Sequence, residues 1–324
     1  MPDPELSTPV TSEVRQPAAK DQFFYGGQAV IEGVMMRGKR HYAVAVRLPT
    51  TKQIVVDRGE LKAAIYVKPV WKLPFVRGLA LIGEQLHLGM KSLIWSANMN
   101  AGSQGVQIGK KEIRSSVAVA GVFALLLFIG LPLLLAGIAV HRSNNFTFVL
   151  VEGIIRVGLV LGYLSVIALL PDVRRVFQYH GAEHKTINAL EAGAELTPTT
   201  VQKYSLIHPR CGTAFLLWVM VIAIFVFAFV GRPALHWLIL SRILLLPVIA
   251  GLAYELIRFA GKHQSSRVLM TLLAPGLWLQ RLTTREPTLD QIEVSIQALR
   301  RVVEREASET ADEQRLETRV EVMA

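Results

Sequence analysis

A single cysteine, Cys211, stands in 324 residues, and only 19% of the residues are charged. One thiol cannot close an internal disulfide, so a disulfide scaffold is excluded. Charge is scarce against the roughly 25% of an ordinary soluble domain, while the apolar share of 52% exceeds the usual range of about 45–50%. A mean hydropathy of +0.38 excludes a disordered chain. Acids are few as well, 25 against 35 basic residues, for a net charge of +10. That excess is not a nucleic-acid signature. The basic residues from Arg37 to Arg77 lack interleaved exposed aromatics and any RNA-binding motif, so no nucleic-acid partner is expected. Glycines 26, 27, 33 and 38 spell neither a dinucleotide nor a phosphate-loop fingerprint, and turns or close backbone packing are expected there.

What the chain does have is long apolar runs. Val117–Val140 and Cys211–Val230 contain no charged residue, Phe146–Leu170 carries Glu152 and Arg156, and Leu235–Ile257 carries Arg242 and Glu255. Each reaches the roughly 20 residues that a helix needs to cross a bilayer. The links at 141–145 and 231–234 are too short for anything but an immediate return. The fold class expected is therefore an α-helical polytopic membrane protein, with four transmembrane helices in two hairpins and a small cytoplasmic α+β N-terminal part. A fifth run, Val268–Leu279, is too short to span and is broken by Pro275-Gly276, so it is expected to be an interfacial or docked helix.

Residues 1–116 hold 16 basic and nine acidic side chains, which is +7 of the net +10. Only Arg142 and Arg232 lie in the two short links. By the positive-inside rule both termini and the central loop face the cytoplasm of a plasma (inner) membrane. The N-terminal region then lies against the anionic lipids of the inner leaflet. The expected organisation is a disordered tail (1–22), a β-rich segment with an amphipathic helix (23–116), a first hairpin (117–170) and a cytoplasmic loop (171–210). A second hairpin (211–257), cytoplasmic or interfacial helices (258–306) and a polar tail (307–324) complete it. Gln28–Met36 reads as one β-prone run, Arg37–Arg40 as a turn, His41–Arg47 as an alternating strand, and Gln53–Asp57 as a possible third. Phe75–Asn98 has apolar residues at helical spacing (Leu79, Leu86, Met90, Leu93), a stripe for the membrane surface or the spans. Thr288 with Gln291 forms a capping box for a helix to about Glu306.

Charges inside spans cost roughly 2.5–3.5 kcal/mol on insertion scales and so face a bundle interior. Glu152 and Arg156 are four residues apart, a pairing distance on a helix. Glu152 and Arg242 fall at matching depths, about 10 Å from the outer side at a rise of about 1.5 Å per residue. The three are expected to form one buried cluster.

The central loop carries the pattern with chemical content. His180-Gly181-Ala182-Glu183-His184 has the H-x-x-E-H spacing of inverted zinc peptidases, in which two histidines ligate and the glutamate activates water. Helical spacing puts His180, Glu183 and His184 on one face. His208 and Cys211, three residues apart at the mouth of the third span, complete a pool of four ligands suited to Zn²⁺. Peptidases of that class take a distant glutamate as third ligand, and Glu191 and Glu195 are too near to match. If all four residues bind, the ion is a structural staple and Glu183 supports it from outside. If His208 or Cys211 stays free, an open position holds water and Glu183 is placed as the catalytic base.

Four segments together resemble the YqhQ-like family. They are Gly26–Gly38 (GGQAVIEGVMMRG), His180–Lys185, His208–Thr213 (HPRCGT), and Pro275–Gln280 (PGLWLQ) with Thr283–Pro287 (TTREP). The resemblance covers most of residues 23–306. It implies a bacterial membrane protein of a family filed as domain of unknown function 1385 and labelled a predicted metal-dependent enzyme; it brings no substrate. Two functions fit the residues. One is a metal-dependent hydrolase of a membrane-associated substrate. The other is a non-catalytic factor for membrane assembly, insertion or transport, with a structural metal and a membrane-protein partner.

Overall fold

The computed structural model describes residues 5–6, 25–61, 73, 76–140, 145–263 and 266–323. An antiparallel sheet comes first, with strands β1 (Glu5–Leu6), β2 (Gly26–Val30), β3 (Gly33–Arg37), β4 (His41–Arg47) and β5 (Ile54–Glu60). Their order across the sheet is β1-β5-β4-β3-β2. Of the tail expected at 1–22, Glu5–Leu6 is paired with β5 and the rest lies outside the described residues. The turn at Arg37–Arg40 and the third strand are found where the sequence places them.

Gln28–Met36 is not one strand. It folds back at Ile31-Glu32, with Glu32 in the left-handed region at φ 54°. The turn is held from outside. The Ile31 N–H donates to Ser96 Oγ (3.2 Å), Asn100 Nδ2 donates to the Ile31 carbonyl (3.2 Å), and Arg175 grips the Glu32 carboxylate. Gly33 follows because its Cα lies against the Ala45 carbonyl, where a Cβ has no room. Partners this remote leave no local signal in the β-prone run.

Side chains of period two sort onto the two faces of the sheet. Val34, Met36, Ala43, Ala45 and Val56 pack against α4 (Pro171–Glu191) and α10 (Leu289–Met323). Met35, Tyr42, Val44 and Val46 pack against Leu88 and Trp95 of α1 (Val76–Ser103). The sheet is thus the middle of three layers. The helix α1 meets the sheet with the side opposite its apolar stripe. Its small and polar side, including Gly89, Ser92, Ser96 and Asn100, meets the sheet, helped by Arg37–Glu84 (2.9 Å). Leu79, Leu86, Met90 and Leu93 remain exposed. Gly89 allows the close approach, since a Cβ there would strike Gln28.

Among the described residues, four helices are long and apolar enough to cross a membrane: α2 (Lys110–Ala139), α3 (Asn145–Ile167), α6 (Gly212–Val230), and the 25-residue stretch Leu235–Phe259. The last is divided into α7 (Leu235–Leu244) and α8 (Leu246–Lys262) at Leu245, two residues before Pro247, which has no N–H to donate. Between α4 and α6 lies a single turn, α5 (Pro198–Val201). α9 (Arg267–Thr283) packs along α6, with Gly276 against Ala214, as a docked helix longer than the apolar run implied. The capping box at α10 forms: the Thr288 N–H donates to Gln291 Oε1 (2.9 Å), and the Gln291 N–H to Thr288 Oγ1 (3.4 Å). The helix does not stop near Glu306 but runs through the residues expected as a polar tail, to Met323. Near its middle the Glu306 carboxylate accepts the N–H groups of Arg40 (2.6 Å) and His41 (3.0 Å).

The buried charges meet as expected. Glu152 and Arg242 are each 1% exposed, and Arg242 donates from Nε (3.2 Å) and Nη2 (2.5 Å) to the two carboxylate oxygens. Arg156 pairs with Glu152 from its own helix and donates from Nε to the Phe128 carbonyl (3.0 Å). Phe128 belongs to a π-helical turn, Leu126–Gly130, inside α2. The Phe227 ring lies 4.2 Å from Arg242 and 5.5 Å from Arg156.

Candidate metal centre

The helix α4 begins with Pro171 at its first position, where the missing N–H costs nothing. Its third and fourth turns carry His180, Glu183 and His184. A separation of four residues brings the two imidazoles together edge to face, with ring centroids 4.4 Å apart. Each ring is held through Nδ1. His180 Nδ1 donates to the Thr283 carbonyl (2.9 Å), at the end of α9, and His184 Nδ1 donates to the Leu206 carbonyl (2.5 Å). A carbonyl only accepts, so each Nδ1 carries a proton, and in the neutral ring each Nε2 presents a lone pair. Burial lowers the pKa of His184 and favours the neutral, ligating form.

Cys211 arrives from the other side, as the residue capping the N-terminus of α6. Its Sγ is 3.4 Å from His180 Nε2 and 3.2 Å from Thr213 Oγ1. A tetrahedral zinc with Zn–N of about 2.0 Å and Zn–S of about 2.3 Å sets the two ligand atoms about 3.5 Å apart. The ligand atoms of His180, His184 and Cys211 all lie within 4.8 Å of one another. His184 is 1% exposed, and its buried Nε2 has no hydrogen-bond partner. That leaves the Cys211 thiol as the nearest group this nitrogen can share a proton or an ion with. This cluster could hold a metal ion.

His208 and Glu183 stand beside these three. The His208 ring centroid is 5.7 Å from that of His184, and its Nε2 faces Arg210 (3.3 Å) and Glu191 (3.8 Å). Its main chain is clamped by Gln280, whose Oε1 accepts the His208 N–H (2.9 Å) while Nε2 donates to the His208 carbonyl (2.8 Å). Glu183 points toward β2, where its carboxylate accepts the Gly27 N–H. A Cβ on Gly27 would lie 2.6 Å from the Met35 carbonyl oxygen and 2.9 Å from Glu183 Cγ. Burial raises the Glu183 pKa, and His180, His208 and the Gly27 N–H oppose the rise. The next residue, Lys185, is buried and satisfied by the Gln202 carbonyl (2.6 Å) and Glu286 (2.8 Å).

Sequence reasoning missed the supports of the cluster. Two of them, Thr283 and Leu206, act through backbone carbonyls and have no side-chain signal. Gln280 lies in a segment noted for resemblance only. Gly181 has a structural cause: a Cβ there would collide with the Arg285 carbonyl, and the Arg285 N–H donates to Phe177 (2.9 Å).

Fold and site together define a mostly helical protein with four helices apolar enough to span a membrane, a small antiparallel sheet, and a His/His/Cys cluster between them. The chain belongs to the family described as "Protein of unknown function (DUF1385)", whose model matches residues 73–305. It is 36% identical over 297 residues to "Uncharacterized protein YqhQ" of Bacillus subtilis (strain 168), covering 87% of this chain and 93% of that protein. No solved structure matches. Neither description names a metal or a reaction.

Proposed function

We propose that this is an integral plasma-membrane protein of four spans in two hairpins, with both termini in the cytoplasm and a zinc ion on His180, His184 and Cys211. The observation that carries the metal is the convergence of two Nε2 lone pairs and one thiol, with both Nδ1 protons already committed to carbonyls. The basic excess of residues 1–116 supports the orientation. Three protein ligands are the number found at catalytic zinc sites, where the fourth position holds water. Glu183, a buried carboxyl with a raised pKa next to this site, is suited to take the proton of that water. The function we assign on these grounds is hydrolysis of a membrane-associated substrate, with Glu183 as base and His208 beside the cluster.

A second reading is favoured by burial. Cys211 is 9% exposed, as well as His184 being closed off. An ion there would fasten α4 to the start of α6 and act as a structural staple in a membrane assembly, insertion or transport factor. One comparison separates the two. Wild type, Glu183→Gln, His184→Ala and Cys211→Ala are purified, metal is quantified by mass spectrometry, and each is tested for complementation of a deletion strain. The hydrolase reading expects about one zinc per wild-type chain, retained metal with lost function in Glu183→Gln, and metal loss in the other two. Full function of metal-loaded Glu183→Gln removes the hydrolase, and a metal-free wild type removes the zinc.

A further inference from the structure

A groove of about 910 Å³ runs between α2 and α7. Its walls are apolar, with Leu126 and Leu133 of α2, Leu238 and Ile243 of α7, and Phe148 of α3 among them. Arg232, in the connection from α6 to α7, also lines the groove. It donates from Nη1 to the Val140 carbonyl (3.2 Å), and its guanidinium lies 4.2 Å from the Phe148 ring centroid. Carbonyls and a ring hold this cation in place without neutralising it. No carboxylate pairs with it among the described residues.

The dimensions suit a lipid. From Leu125 to Ile138 the groove follows α2 through 13 residues, about 20 Å at about 1.5 Å per residue. One leaflet's hydrocarbon is about 15 Å deep, half of a core of about 30 Å. Arg232 follows the far end of α6 from Cys211, some 20 residues and therefore about 30 Å away. A span with the metal cluster at one membrane face thus puts Arg232 at headgroup level on the other.

We propose that this groove binds the acyl chains of an anionic phospholipid, with the phosphate on Arg232, in the leaflet opposite the metal cluster. The apolar walls take the chains and the single uncompensated guanidinium selects the head. This rests on the reading that the four helices span a bilayer, which resistance of the full-length protein to carbonate extraction tests separately.

The direct test is native mass spectrometry of the full-length protein in micelles, titrated with phosphatidylglycerol or phosphatidylcholine of identical chains. The wild type should bind one phosphatidylglycerol about five-fold tighter than phosphatidylcholine, equivalent to about 1 kcal/mol for one basic side chain at an anionic surface. Arg232→Gln should abolish the preference, whereas Arg232→Lys should keep it. That pair separates loss of charge from loss of the carbonyl contacts. Gly130→Leu should weaken both lipids together, because Gly130 lines the groove with nothing nearer than 3.9 Å to an added Cβ. Circular dichroism confirms that each variant keeps its helix content. Equal affinity of the wild type for the two lipids, an unchanged preference in Arg232→Gln, or a second copy of the chain in the groove in place of lipid overturns the proposal.

Discussion

Replacing Glu152 with glutamine removes the one carboxylate that Arg156 and Arg242 share in the helical bundle. Two guanidinium groups are then left buried around Phe227 with only carbonyl, hydroxyl and ring contacts. Removing one partner of a buried pair typically costs about 3–5 kcal/mol, and here two cations lose their partner at once. Arg242→Met is a different perturbation. It leaves Glu152 paired with Arg156 on the same helix, a neutral arrangement, and forfeits two charge-assisted hydrogen bonds while also removing a buried cation. That loss should be smaller, about 1–3 kcal/mol. In the double variant Arg156 is the one charge left, and its side chain is 12% exposed, so it can turn outward. The double variant should therefore be more stable than the sum of the single losses by about 1–3 kcal/mol. The assay is unfolding of the micelle-embedded protein by sodium dodecyl sulfate, followed by circular dichroism for all four proteins. Additivity within about 0.5 kcal/mol, or a larger loss in Arg242→Met than in Glu152→Gln, would refute the reasoning.

Gly27→Ala should destabilise by about 1–3 kcal/mol, because β2 has to move off Met35 and Glu183. Gly26→Ala, with nothing within 4 Å of its added Cβ, should stay within about 0.5 kcal/mol in the same thermal unfolding assay. Gln280→Ala strips both main-chain hydrogen bonds from His208, and about 2–3 kcal/mol of stability is expected to go with them. Loosening the start of the 208–211 turn should also weaken the proposed zinc binding about ten-fold in competition with a chromophoric chelator. If Cys211 ligates an ion as proposed, its maleimide labelling in isolated membranes should accelerate several-fold on addition of a chelator. Labelling at one rate before and after chelation would mean that Cys211 is not a ligand.

The features legible in the sequence were those with local causes. Long apolar runs declared the four helices, Thr288 with Gln291 declared the start of α10, and Arg37–Arg40 declared a turn. Helical spacing brought His180 next to His184, and the depth of Glu152 and Arg242 in their runs foretold their meeting. What escaped was decided by distant partners. The return at Ile31-Glu32 depends on Ser96, Asn100 and Arg175, and α1 carries a glycine at 89 because Gln28, 61 residues earlier, leaves no room for a Cβ there. For His208 the sequence spacing to Cys211 suggested a ligand, but the ring orientation is set by Arg210 and Glu191. Two of the groups that orient the cluster are carbonyl oxygens, which every residue possesses and no pattern reveals.

The position of α10 in the three-layer arrangement bears on how the protein is made. The Glu306 carboxylate that closes the β3–β4 turn is 265 residues from His41. At about 5–20 residues per second, a ribosome needs roughly 10–50 s to supply it after β4 has emerged. Throughout that interval Val34, Met36, Ala43 and Ala45 have no α10 to cover them, while the apolar helices are being synthesised. Nascent chains therefore carry a strand face still lacking its α10 cover through the most hydrophobic part of their own synthesis. A chaperone's protection would matter most in those seconds, and a nonsense codon before Leu289 would make the exposure permanent.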